Sequence, residues 1–221
     1  MTRQILAFAT VAALVSGCGE SPDAPAGGDT AGSNEPCVET PGAGPTMSAS
    51  RKLTEQELQD SIYNPSKVKE RRMWADSWLY AEAPELEVEE WLTDIPETKG
   101  KYVMIEFWGT FCPPCRRSIP ILNGFHKKYK DDMVIIMISH EPVETVKTFS
   151  ENTKIDVYSA VDTQARTKNK LNVFGIPHTI IIEPQYGCVI WEGFPLLEGY
   201  ELTEKIIDKI LEVGRKAKVI E

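Results

Sequence analysis

The chain has 221 residues, 42% of them hydrophobic, and a formal net charge of −9. That suits one ordinary domain with a real core plus appendages. An acidic chain without a basic cluster argues against nucleic acid as a partner. Five cysteines cannot all pair within one chain, so each needs its own reading.

Arg3 precedes an apolar run, Ile5 to Val15, too short for the roughly 20 residues of a membrane span. Val15-Ser16-Gly17-Cys18 follows and resembles the bacterial lipobox. The resemblance implies a lipoprotein signal peptide over 1–17 and an acylated Cys18 that anchors the chain to a bilayer. Gly19 and Glu20 replace the aspartate associated with inner-membrane retention, which favours the outer membrane. An ordinary signal peptide ending near a cysteine is the plainer alternative. Either way the protein is expected in the cell envelope, outside the cytoplasm, where disulfides persist.

Residues 18–50 are small, polar and rich in Gly and Pro, the composition of a flexible linker. Such a linker reaches on the order of 30 Å. Cys37 lies within it and is expected to be an incidental free thiol. Residues 51–83 are expected to form a helical extension, because Leu53, Leu58 and Ile62 recur at helix-like spacing. Asn64-Pro65 should divide it. Its second piece carries Met73, Trp74, Trp78 and Leu79, an aromatic stripe expected to pack against the domain.

From residue 84 to 221 strands and helices alternate. Tyr102–Trp108 and Val134–Ser139 read as continuous apolar strands, and 112–130 as a helix with Ile119, Leu122, Phe125 and Tyr129 on one face. Residues 143–151 and 163–171 read as shorter helices. Thr179–Glu183 and Cys188–Trp191 flank a Pro-Gln-Tyr-Gly turn and should form a hairpin. Tyr200–Lys216 closes the chain as an amphipathic helix. The expected class is α/β, a central mixed sheet with helices on both faces.

The chemistry centres on Trp108-Gly109-Thr110-Phe111-Cys112-Pro113-Pro114-Cys115-Arg116. A C-x-x-C at a strand-to-helix junction places the first sulfur at a helix N-terminus, where unpaired N–H groups stabilise a thiolate. The second sulfur lies one turn in, within reach of a mixed disulfide. A zinc site would need a second such pair or two histidines at suitable spacing, and the sequence has neither. A structural disulfide would be a poor staple across so short a loop.

This motif resembles the thioredoxin active site. Pro120 matches that family's helix-kinking proline, and Gly175-Ile176-Pro177-His178-Thr179 matches its cis-proline loop. The lipid anchor and the insertion between strands bring the chain nearest to the TlpA/ResA-type extracytoplasmic thioredoxins. The resemblance implies a thioredoxin-like fold and a cis Pro177, which leaves Ile176 as an edge for a substrate strand. It also places Glu106 at the family's buried acid. Glu106 is the only charge in an apolar strand, so burial should raise its pKa and let it take the proton of Cys115. Those relatives often carry a glutamate where this chain has Ser118, so Glu106 would serve alone.

Pro113 and Pro114 both lack an N–H near the Cys112 sulfur. That predicts a less stabilised thiolate and a more reducing couple. Trp108 and Phe111 are expected to shield the dithiol and form an apolar docking surface. Cys188 reads as a buried small hydrophobe, and a Cys37–Cys188 disulfide is not expected. His140 reads as the end of its strand and His178 as a residue tuning the active-site surface.

The expected activity is therefore thiol–disulfide exchange on extracytoplasmic proteins, in the reductase direction, by a monomer with neither metal nor organic cofactor. The resemblance implies a DsbD- or CcdA-like membrane electron donor, and apocytochromes c or copper-site proteins as clients. A copper chaperone using Cys112, Cys115 and a histidine is one alternative. A thiol peroxidase is another, although its usual P-x-x-x-T-x-x-C signature is absent.

Overall fold

The apolar runs at Tyr102–Trp108 and Met133–Ser139 are buried along nearly their whole length. Strands of that kind must be covered on both faces, which places them at the centre of a sheet. The computed structural model describes residues 5–6, 74–198 and 200–219. In chain order the elements are β1 (Ile5–Leu6), β2 (Leu86–Glu87), β3 (Glu90–Trp91), β4 (Tyr102–Trp108), α1 (Pro113–Tyr129), β5 (Met133–Ser139), α2 (Val143–Asn152), β6 (Tyr158–Val161), α3 (Arg166–Lys170), β7 (His178–Ile182), β8 (Val189–Gly193) and α4 (Glu204–Val219). The main sheet runs β3-β6-β5-β4-β7-β8, and β1 pairs with β2 in a separate short ladder.

The sheet is mixed. β4, β5 and β6 are parallel neighbours, while β7 runs antiparallel to both β4 and β8. Side chains alternate across β4. Met104 and Trp108 join the core beneath α1, with Ile119, Leu122, Ile207 and Ile210. Val103, Ile105 and Phe107 face the other way, against Leu86, Leu171 and Val173. Glu106 shares the parity of Met104 and Trp108, so the pleat turns its carboxylate towards α1. The thioredoxin-like fold expected from the motif is the fold observed.

The structure departs from the sequence expectations in its edge strands, over residues 74–82 and at Cys188. Strand β6 was not foreseen; it joins β5 in parallel and carries the edge strand β3. Residues 74–82 are not helical. Their main chain follows the open side of β8: Tyr80 N–H donates to Val189 O at 2.7 Å, and Val189 N–H donates to Ala81 O at 2.9 Å. An open strand edge offers these residues more hydrogen bonds than an isolated helical turn would. Cys188 is buried but disulfide-bonded, so it is not the unbridged hydrophobe expected. Residues 7–73, which include Cys18, Cys37 and the first part of the expected helical extension, lie outside the described residues.

Candidate active site

The end of β4 leads through Gly109–Phe111 into α1, and Cys112 is the residue that caps the helix. Its Sγ accepts the Cys115 N–H at 3.2 Å, the service an N-cap side chain usually performs through oxygen. Pro113 and Pro114 hold the first two helical positions, so the Cys115 amide is the first main-chain donor of the helix. Cys112 and Cys115 are joined by a disulfide. Cys112 retains 6% exposure and Cys115 none, so a partner can approach only the first sulfur.

The loop entering the helix is held from β5. Glu141 accepts the Thr110 N–H and the Thr110 hydroxyl, each at 2.6 Å. A second loop closes the site from β7. Its Ile176–Pro177 peptide is cis, as expected, and the Ile176 carbonyl oxygen lies 3.7 Å from Cys112 Sγ.

Glu106 lies in the middle of β4 with no exposed surface. It does not reach solvent at a sheet edge. Thr179, its register partner on β7, donates a hydroxyl proton to Oε2 at 3.0 Å. Ser118 on α1 hydrogen-bonds Oε1 and also approaches the Cys115 carbonyl at 2.7 Å. Burial pushes the Glu106 carboxyl up to about 7, and the Ser118 and Thr179 hydroxyls pull it back only in part.

Phe111 is 61% exposed and meets His140 edge-on. Trp108 corrects an expectation. It is fully buried among the same core residues as the two cysteines, its ring tilted against Phe149, and offers no docking surface. The pleat explains this, because Trp108 follows Met104 and Glu106 on the inner face of β4. His178 is likewise buried within β7 and adds nothing to the active-site surface. Among the described residues, no group of three or more His, Cys, Asp or Glu side chains is placed to hold a metal ion.

Several neighbours of the site escaped the sequence reading. Ser118 and Thr179 could have been found, since one lies a helical turn from Cys115 and the other follows the cis-proline loop. Phe174, 66% exposed in that loop, also went unremarked. Glu141 carried no signal, because its role depends on β5 ending beside Thr110.

Comparison with known proteins agrees with this geometry. The AhpC/TSA family matches residues 81–190. A protein named thiol-disulfide oxidoreductase ResA from Halalkalibacterium halodurans is 26% identical over 122 residues, 54% of this chain and 66% of that relative. ResA from Geobacillus kaustophilus is 33% identical over 91 residues, 40% of this chain and 52% of that relative. The chain thus spans between 52% and 66% of the length of these two relatives. A solved thioredoxin-like superfamily protein superposes with a TM-score of 0.50 at 19% identity, over 60% of this chain and 94% of that one, a likeness of fold. The chain has a thioredoxin-like fold, and its residues 81–190 are similar to the AhpC/TSA family.

Proposed function

We propose that this chain is a thiol–disulfide oxidoreductase that reduces disulfides of proteins outside the cytoplasm. The observation that carries the reading is the Cys112–Cys115 disulfide at the N-terminus of α1, with Cys112 capping the helix and facing the cis-proline loop. In the reduced protein the Cys112 thiolate attacks a client disulfide. One client sulfur leaves as a thiolate, and a Cys112–client disulfide forms. Cys115 passes its proton to Glu106 and attacks Cys112 Sγ. The intramolecular disulfide re-forms and the second client thiolate departs, so two electrons move from the protein to the client.

The reductase direction is supported by Pro113 and Pro114. With no N–H at either position, one helix amide remains to stabilise the Cys112 thiolate. A less stable thiolate favours the disulfide form and lowers the potential. The dithiol pair is itself the redox centre, and an organic cofactor has no part in this scheme. Re-reduction falls to a membrane dithiol donor of the DsbD or CcdA kind. The lipobox at Cys18 would hold the domain beside it.

The test is reduction of a disulfide-bonded protein such as insulin by the full chain, with a chemical dithiol as donor. Cys112→Ser should abolish turnover. Cys115→Ser should accumulate a covalent client adduct that a thiol reagent releases. Turnover that survives Cys112→Ser would overturn the proposal, and so would the absence of an adduct with Cys115→Ser.

A further inference from the structure

Trp74 sits directly on the loop that carries Ile176 and Pro177. Its main-chain carbonyl accepts the Phe174 N–H at 2.9 Å and the Gly175 N–H at 3.2 Å. A Cβ on residue 175 would lie 2.5 Å from Trp74 Cβ and 2.8 Å from its Cγ. The approach is possible only because residue 175 is glycine. The Trp74 ring also meets Phe194 edge-on, with centroids 5.8 Å apart.

The segment behind Trp74 is fixed as well. The Ser77 hydroxyl and the Trp78 N–H donate to the buried Glu192 carboxylate at 2.5 and 2.8 Å. Leu79 through Ala81 are tied to Val189 on β8. Residues 74–82 therefore form a strap anchored on β8 whose leading residue grips the loop opposite Cys112.

We propose that Trp74 is a positioning residue for client recognition. The strap sets the Phe174–Ile176 main chain, and with it the exposed Phe174 ring and the Ile176 carbonyl beside Cys112 Sγ. The client class this suits is a polypeptide disulfide with an extended, apolar flank. A small disulfide such as oxidised glutathione needs the cysteines and little of the loop. The inference rests on the oxidoreductase reading above and adds to it a residue of the extension, outside the family match.

The experiment compares the full chain with Trp74→Ala, Trp74→Phe and Gly175→Ala. Each is assayed against an apolar disulfide-bonded peptide and against oxidised glutathione, and exchange of the residue 174 and 175 amides is followed by NMR. Trp74→Ala should raise KM for the peptide about tenfold or more, with kcat and the glutathione reaction within about twofold of wild type, and Gly175→Ala, which forces the two main chains apart, should raise the peptide KM as well. The two amides should exchange about tenfold faster in Trp74→Ala, and Trp74→Phe should stay near wild type. Folded variants with unchanged KM and unchanged exchange would overturn the proposal, as would equal losses against peptide and glutathione. A wild-type chain inert towards both disulfides would instead overturn the oxidoreductase reading, while amide exchange still decides whether the strap holds the loop.

Discussion

The Ser118 hydroxyl joins Glu106 to the helical turn that carries Cys115. It contacts the Glu106 carboxyl on one side and the Cys115 carbonyl on the other. A hydroxyl has one proton and cannot donate to two acceptors at once. With Glu106 ionised, the hydroxyl proton is shared towards the carboxylate, the contact that holds its titration below where burial alone would put it. A carboxyl pushed up to about 7 takes up a proton under mild conditions. The buried pair is thus suited to holding a proton beside the buried cysteine and releasing it on demand.

Glu106→Gln should slow the second step, attack of Cys115 on the mixed disulfide, by on the order of 100-fold near neutral pH. It should also remove an inflection near 7 from the pH profile of that step. Stopped-flow decay of a preformed Cys112–client adduct measures both. An unchanged decay rate and profile would remove Glu106 from the mechanism.

Ser118→Ala tests the bridge. The Ser118 hydroxyl lowers the Glu106 titration against the rise caused by burial. Removing it should move the inflection to higher pH, by about one unit, the equivalent of one hydrogen bond to a charged group. The same stopped-flow profile reads the shift, and Ser118→Thr should largely restore the wild-type position.

Stability should carry the same signature. An unfolded glutamate titrates near 4.5 and the folded Glu106 at about 7. Between those values the folded chain holds a proton that the unfolded chain has released, so stability falls as pH rises through the window. The contribution is intact below 4.5 and lost above about 7, a difference of about 3 kcal/mol at most. Urea unfolding of the wild type should lose about that much relative to Glu106→Gln between ~pH 4.5 and ~pH 8. Parallel curves would show that Glu106 ionises without penalty.

The helix cap supplies another prediction. Pro114 occupies the second helical position, where an N–H can reach the capping side chain. Pro114→Ala restores that donor to Cys112 Sγ and stabilises the thiolate. The potential of the pair should rise by about 30 mV, a tenfold change in the exchange equilibrium. The Cys112 pKa, followed by thiolate absorbance, should fall in step.

Much of this architecture could be read from residue order. Continuous apolar runs announced β4 and β5, because strands covered on both faces show no alternation. The face formed by Ile119, Leu122, Phe125 and Tyr129 announced α1. The cysteines, Glu106 and the Pro177 loop are brought together as the resemblance to the thioredoxin family implied. What could not be read depends on contacts between distant segments. Trp74, Trp78 and Leu79 have helix-like spacing, but the open edge of β8 and the buried Glu192 decide their conformation. Trp108 stands next to the active loop in sequence and suggested surface, yet the pleat of β4 turns it into the core. β6 is short and begins at a half-buried Tyr158, so its apolar signal is weak. Glu141 and Gly175 acquire their roles only from Thr110 and Trp74, neither of which is near in sequence.

The reduction potential of the Cys112–Cys115 pair, measured by equilibration of the full chain with dithiothreitol or glutathione, tests the central claim most directly. The account predicts a two-electron couple near that of thioredoxin, about −270 mV. A value near that of DsbA, about −120 mV, would make the pair an oxidant of secreted thiols and contradict the role given to Pro113 and Pro114.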